Sequence, residues 1–249
     1  MDCEIYYDNL GLIGTNQGEL SRFDRTFPFI LKEGNLLDAG CGEGYWLDYL
    51  YTKTKLNLYG IDISGVRINS AKEKASNKIR FNQGDIMNLI HEDNSFDQVT
   101  AMEVIEHLPD WKKGLSEVVR VASKRAVITV PYNERLKHER CINCGEEAYL
   151  YGHLSSFTEE DFRDFNFDIT FHKLQPAFEF NHYLQRAFKG IFSKAKHTLK
   201  FEENGHESIT ICPGCYGEVK YTKYFERMTD RMSRIIKKSP EWLLIQIDK

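Results

Sequence analysis

Three sets of residues have types and spacings that could do chemistry. The first is the run Leu36-Leu37-Asp38-Ala39-Gly40-Cys41-Gly42-Glu43-Gly44, with glycines at every second position behind an acid. Such glycines let a backbone turn sharply and let a ligand approach without Cβ atoms in the way, and a helix N-terminus behind them presents free N–H groups. The Gly-x-Gly-x-Gly spacing departs from the Gly-x-Gly-x-x-Gly of dinucleotide sites, which favours a ligand without a pyrophosphate. Asp62 lies 18 residues beyond Gly44, where a carboxylate can take both hydroxyls of a ribose. Asp85, in Gln83-Gly84-Asp85-Ile86, is placed to meet an adenine amino group with Ile86 flanking the ring. Each acid alone also reads as a helix cap or a solvated loop residue. As a series at the ends of successive apolar runs, they point to one ligand cleft.

The second set is Glu103-Val104-Ile105-Glu106-His107, whose spacing would put three polar side chains on one side of a helical turn. His107 could take the proton from a hydroxyl nucleophile, since a neutral imidazole titrates near cellular pH. Alternatively, two carboxylates and an imidazole could hold a divalent ion with a further ligand from elsewhere. A third reading has Glu103 contacting only the cofactor while His107 caps a polar pocket. The third set is two Cys-x-x-Cys pairs, Cys141/Cys144 and Cys212/Cys215. Zinc takes four thiolate or imidazole ligands in a tetrahedron, and each pair supplies two from a tight turn. Four cysteines leave no open position, so the expected zinc is structural. With 67 residues between the pairs, it would staple two insertions into a cap over the substrate entrance.

These residues need elements to hold them. Short apolar runs at 35–39, 56–62, 79–81, 96–101 and 126–130 alternate with helical stretches at 65–76 and 111–122, the pattern of a parallel α/β sheet. A helix is expected over 19–32, with Phe23, Phe27, Ile30 and Leu31 on one side. Beyond Pro131 the rhythm breaks, with a helix near 158–165 capped by Thr158, a strand at 168–174, a helix at 222–238 and a closing strand at 242–247. The division expected is an N-terminal helix and cofactor-binding core over 1–135, late core elements with the zinc-stapled cap over 136–240, and a final strand over 241–249.

Of 249 residues, 41% are hydrophobic and 28% charged, which excludes collagen-like, low-complexity and mostly disordered chains. With 33 Lys+Arg against 37 Asp+Glu, the net charge of −4 gives no sign of nucleic-acid binding by bulk charge. Basic residues do cluster locally, at Arg186, Lys189, Lys194, Lys196 and Lys200, and at Arg227, Arg231, Arg234 and Lys238. They read first as solvated faces and otherwise as a surface for a phosphate-bearing substrate. Tyr149, Tyr151, Phe157, Phe178, Phe180 and Tyr183 could stack on a sugar or base, or pack a core. The opening residues lack the basic and apolar regions of a secretory leader, and no window approaches a membrane span, so a cytoplasmic protein is expected.

On Asp38-x-Gly40-x-Gly42-x-Gly44, Asp62, Gly84-Asp85-Ile86 and Phe96-Asp97 leading into Glu103-Val-Ile-Glu106-His107, residues 18–135 resemble a class I S-adenosylmethionine-dependent methyltransferase. The resemblance implies a Rossmann-like sheet of seven strands, one antiparallel, with helices on both faces. It implies that Asp38, Gly40, Gly42 and Gly44 hold the methionine end of the cofactor, with Asp62 and Ile63 at the ribose, Asp85 and Ile86 at the adenine, and Glu103 in contact. The Glu-x-x-Glu-His pattern is similar to that of ubiquinone-pathway O-methyltransferases and small-RNA 3′-end 2′-O-methyltransferases. There a later histidine in a segment like Gly152-His153-Leu-Ser-Ser-Phe157-Thr158 joins a metal site, which would make Glu103, Glu106, His107 and His153 a second site for Mg²⁺ or Mn²⁺. The function expected is O-methylation of a sugar or other small hydroxyl acceptor, with Glu106 and His107 catalytic. An RNA 3′ end as acceptor, or a non-catalytic binding module on the same fold, are the alternatives.

Overall fold

Adjacent leucines at 36 and 37 are both fully buried, and they face opposite ways, as successive residues on a strand must. A strand buried on both faces needs cover on both, and the rest of the chain supplies it. The computed structural model describes residues 3–15, 17–136, 138–141, 144–174, 210–211, 213–216, 218–219 and 242–249. Strands β1 (Glu33–Ala39), β2 (Lys55–Asp62), β3 (Arg80–Gln83), β4 (Phe96–Met102) and β5 (Ala122–Pro131) pair in parallel. Later come β6 (His138–Arg140), β7 (Glu147–Tyr149), β8 (Asp168–Leu174), β9 (Thr210–Ile211), β10 (Glu218–Val219) and β11 (Trp242–Asp248).

The main sheet has seven strands in the order β3-β2-β1-β4-β5-β11-β8, and β11 runs antiparallel to both of its neighbours. This is the Rossmann-like mixed sheet expected from the sequence. On one face Leu36, Leu58 and Leu244 pack with Phe23, Trp46, Leu47 and Leu50; on the other, Leu37, Val99, Ile128 and Leu243 pack with Leu115, Val118 and Val119. The first group includes residues of α2 (Gln17–Thr26) and α3 (Tyr45–Tyr51), the second those of α5 (Trp111–Val121). Two further helices, α1 (Cys3–Leu10) and α4 (Gly65–Lys74), stand near the C-terminal ends of β1, β2 and β3.

Two helices expected from the sequence are shorter. The one at 19–32 stops at Thr26 and tightens into a 3-10 turn over Phe27–Phe29, because Pro28 has no N–H to continue the ladder. The one at 158–165 is a 3-10 turn over Glu159–Phe162. Asp161 accepts from Thr158 N at 2.7 Å and Thr158 Oγ1 at 2.9 Å, and the poor helix formers Asp164 and Asn166 follow. Strands β6 and β7 form a hairpin with Cys141 and Cys144 in its turn, and β9 and β10 form another around Cys215. Cys212, the basic run 186–200, the helix at 222–238, Phe178, Phe180 and Tyr183 lie outside the described residues. Among the described residues no helix is long and apolar enough to cross a membrane.

Candidate functional site

Strand order reverses between β1 and β4, and an open α/β sheet leaves a crevice beyond the carboxyl ends of its strands at such a point. Gly40, Asp62, Ile63, Asp85, Ile86, Glu103, Val104 and His107 line that crevice, with Cys3 and Tyr7 of α1. Gly40 has φ +84°, and a Cβ there would lie 2.5 Å from the Val104 side chain, so only glycine lets the loop pass beneath the chain leaving β4. Asp62 is a buried carboxylate that accepts from Gly42 N at 2.8 Å and Ser64 N at 2.9 Å, and it thereby ties the glycine loop to the end of β2. Ser64, not Asp62, caps α4, accepting from Arg67 N at 3.2 Å. Asp85 Oδ1 accepts from Met87 N at 2.8 Å, which turns the chain so that Ile86 is buried beside the crevice. Asp38 is buried and accepts from Thr100 Oγ1 at 2.7 Å. Burial pushes its carboxyl up to about 7, against the Thr100 hydrogen bond and the Arg22 charge and with help from Asp62.

Several residues of this crevice carry no signal in the sequence. Arg22 is buried on α2, with Nη1 3.4 Å from Glu103 Oε2 and Nη2 3.9 Å from Glu19, while its Nε is buried without a hydrogen-bond partner among the described residues. A lone arginine beside Phe23 reads as a surface charge until the fold closes over it. Arg67 stacks its guanidinium 5.3 Å from the Tyr7 ring and donates from Nε to Gly11 O at 3.1 Å. Tyr7 Oη is also buried without a hydrogen-bond partner among the described residues, and burial raises its pKa well above the usual value. The roof is fastened at both ends. Asp8 accepts from Ser64 Oγ at 2.6 Å, and Glu43 Oε1 accepts from Ile13 N at 2.9 Å and Gly14 N at 2.8 Å while Oε2 meets Lys74 Nζ at 2.8 Å.

The Glu103 to His107 segment is not the helical turn that its spacing suggests. Glu103 takes a left-handed φ of +59°, uncommon for a residue with a Cβ, and a 3-10 turn follows over Ile105–His107. The kink separates Glu103, which faces Arg22, from Glu106, which is fully buried. Ligand atoms of Glu106, His107 and His153 lie within 4.8 Å of one another, and Glu103 is not part of that group. Both carboxylate oxygens of Glu106 are buried without a hydrogen-bond partner among the described residues. Burial, then the charge of Glu103, push its carboxyl well above the usual range. His107 Nδ1 sits 3.2 Å from Gly152 O, and its Nε2 3.9 Å from Glu106 Oε1. A carbonyl oxygen only accepts, so Nδ1 carries the hydrogen and Nε2 a lone pair. Burial and the adjacent His153 push the His107 pKa down to about 3. Leu154 N and Ser155 N donate to Glu106 O at 2.7 Å and 3.1 Å, which lashes the His153 segment to the turn.

Three of the four expected thiolates also converge. Cys141, Cys144 and Cys215 place their sulfurs within 4.8 Å of one another, with Cys141 Sγ 3.6 Å from Cys215 Sγ. Gly145 N donates to Cys141 O at 2.9 Å, closing the tight turn of the first pair.

Residues 37–130 match the family model described as a methyltransferase domain. Ajmaline N-methyltransferase of Rauvolfia serpentina is 35% identical over 104 residues, covering 40% of this chain and 36% of that protein. Tocopherol O-methyltransferase of Arabidopsis thaliana is 34% identical over 123 residues, covering 47% of this chain and 34% of that protein. The chain thus spans about a third of the length of these curated relatives. Phosphoethanolamine N-methyltransferase 2 of Haemonchus contortus, solved with S-adenosyl-L-methionine, superposes with a TM-score of 0.57 at 19% identity, over 99% of this chain and 55% of that one. Residues 37–130 are thus similar to a methyltransferase domain, and the seven-stranded mixed sheet that holds them has the fold of the solved methyltransferase.

Proposed function

We propose that the protein is an S-adenosylmethionine-dependent O-methyltransferase whose acceptor is a hydroxyl of a sugar or other small molecule, aided by a divalent cation at Glu106, His107 and His153. The cofactor residues fit the group. Gly40 and Gly42 clear the approach, Asp62 offers its remaining lone pairs to ribose hydroxyls, Asp85 and Ile86 stand at the adenine end, and Asp38 lies beneath the methionine end. Arg22, a buried cation with an unsatisfied Nε beside Glu103, suits the carboxylate of the methionine moiety. Bound there, S-adenosylmethionine supplies an electrophilic methyl group on its sulfonium. The chain's own task is to align an acceptor, exclude water with the α1 roof and manage the acceptor's proton.

The observation that carries the cation is Glu106. A fully buried carboxylate with both oxygens lacking a donor is costly unless protonated or opposite a cation, and two imidazoles face it. Carboxylate and imidazole donors suit Mg²⁺ or Mn²⁺, which would acidify a bound hydroxyl. An imidazole with a pKa near 3 accepts a proton weakly, so His107 serves better as ligand than as the general base its sequence position suggests. The thiolates of Cys141, Cys144 and Cys215, with Cys212 beyond the described residues, suit structural zinc as a separate site.

The test is transfer of labelled methyl from S-adenosylmethionine to a panel of sugars, small phenols and catechols, and RNA 3′ ends, with and without Mn²⁺. Cation-dependent labelling of a hydroxyl compound is expected. Labelling of RNA alone would favour the 2′-O reading, labelling of amines alone would overturn O-methylation, and cofactor binding without transfer to anything would favour a binding module.

A further inference from the structure

Resting on the divalent-cation reading above, we propose that Glu134 is a positioning residue for that site, an outer-shell carboxylate that fixes the tautomer and direction of the His153 ring. Glu134 Oε2 lies 2.5 Å from His153 Nδ1. A carboxylate accepts there, so Nδ1 is the N–H and the lone pair of His153 sits on Nε2. His107 is arranged the same way by a different acceptor, Gly152 O at 3.2 Å. Both imidazoles therefore have their Nδ1 atoms occupied by oxygen acceptors and their Nε2 atoms left to coordinate. Their ring centroids are 4.7 Å apart at 74°, a packing that resists rotation of either ring alone.

The backbone that carries Glu134 is built to hold it there. Asn133 takes a left-handed φ of +49° and donates its N–H to Phe157 O at 2.8 Å, and Tyr132 bridges to Phe157. These contacts pin the end of β5 to the far side of the segment that holds His153. Glu134 and His153 also stand at the two stems of the β6–β7 hairpin, so their contact closes its base. Metal-bound histidines commonly donate their second N–H to a carboxylate, and loss of such a partner weakens metal binding by roughly 10- to 100-fold.

The experiment titrates Mn²⁺ into the 249-residue chain, following free Mn²⁺ by electron paramagnetic resonance, for the wild type, Glu134→Gln and Glu134→Asp. Nitrogen-15 histidine spectra of the metal-free proteins report the His153 tautomer, and calorimetry with S-adenosylmethionine reports the intact cofactor cleft. Glu134→Gln should bind Mn²⁺ roughly 10- to 100-fold more weakly and bind the cofactor as the wild type does, and the wild type should show the Nδ1–H tautomer of His153. Glu134→Asp should recover part of the Mn²⁺ affinity, and it stands in if the Gln variant fails to fold. A wild type that takes no Mn²⁺ would overturn the cation reading and the outer shell with it. A wild type that binds Mn²⁺ beside a Gln or Asp variant with unchanged affinity, or a wild-type His153 without the Nδ1–H tautomer, would overturn the role of Glu134 alone.

Discussion

Asp62 and Asp38 end neighbouring strands, yet they serve the cleft in different ways. Asp62 is held by two backbone N–H groups and points into the crevice, so Asp62→Ala should cost cofactor affinity on the scale of a charge-assisted hydrogen bond, about 1.5 to 3 kcal/mol, read by calorimetry. Unchanged affinity would remove Asp62 from the ribose. Asp38 makes a prediction about pH. Its carboxyl is pushed from 3.8 to about 7, so over that range the folded chain holds a proton that the unfolded chain has lost, and stability falls as pH rises through it. The effect is worth up to about 4 kcal/mol at 1.36 kcal/mol per pH unit. Asp38→Asn should therefore gain most over the wild type near pH 8 and least near about pH 4, as seen in cofactor-free melting temperatures. Equal melting curves at both ends would refute the buried, protonated carboxyl. Both acids are legible in the sequence because they follow apolar runs and a glycine loop. Arg22 and Glu134 are not, since a single charge on a helix or loop reads as solvated until distant segments close over it.

Elements explain what spacing alone does not. The parallel strands are legible because a strand buried on both faces reads as a continuous apolar run, whereas the helix ends depend on single residues such as Pro28 and Asp161. Glu103 to His107 misleads for the same reason, because one left-handed residue breaks the helical spacing and turns Glu103 toward Arg22 rather than toward Glu106. The α1 roof is a case where one side chain holds an element. Burial alone would raise the Glu43 carboxyl, but Lys74 and the N–H groups of Gly14 and Ile13 hold it below the usual value. A depressed carboxylate contributes its stability above its unfolded pKa and loses it as pH falls through the lower folded one. Glu43→Gln should thus loosen residues 3–14 at neutral pH, visible as faster amide exchange there, with faster cofactor release and little change in the strands. Acid below the usual carboxylate range should produce the same loosening in the wild type and add little in the variant. Protection of residues 3–14 that is equal in wild type and variant would show that the roof is held by Asp8 and Arg67 instead.

At the scale of the whole molecule the chain has two unequal sources of stability. The sheet buries Leu36, Leu37, Leu47, Leu50, Leu243, Leu244 and Ile245 almost completely, each worth roughly 1.5 to 3 kcal/mol. The two hairpins have strands of two or three residues and, among the described residues, bury only Cys141 and Ala148. Hairpins of that size are marginal in water unaided, and a metal at the thiolates, as proposed above, would add to what holds them. The consequence reaches the candidate site, because β7 leads directly through Gly152 to His153, and β9 packs against α1 and the turn at residues 150–152. Protein prepared without chelator should contain about one zinc per chain. A chelator strong enough to strip thiolate-bound zinc should leave the far-ultraviolet signal of the sheet and the binding of S-adenosylmethionine nearly intact. It should raise amide exchange over residues 138–149, weaken Mn²⁺ binding and abolish turnover, with zinc restoring the first two and zinc together with Mn²⁺, but not Mn²⁺ alone, restoring turnover. A weak chelator that removes only the oxygen- and imidazole-bound cation should stop turnover without loosening the hairpins. Zinc-free protein that keeps full turnover and a protected hairpin would show that the thiolates are not what holds His153 in place.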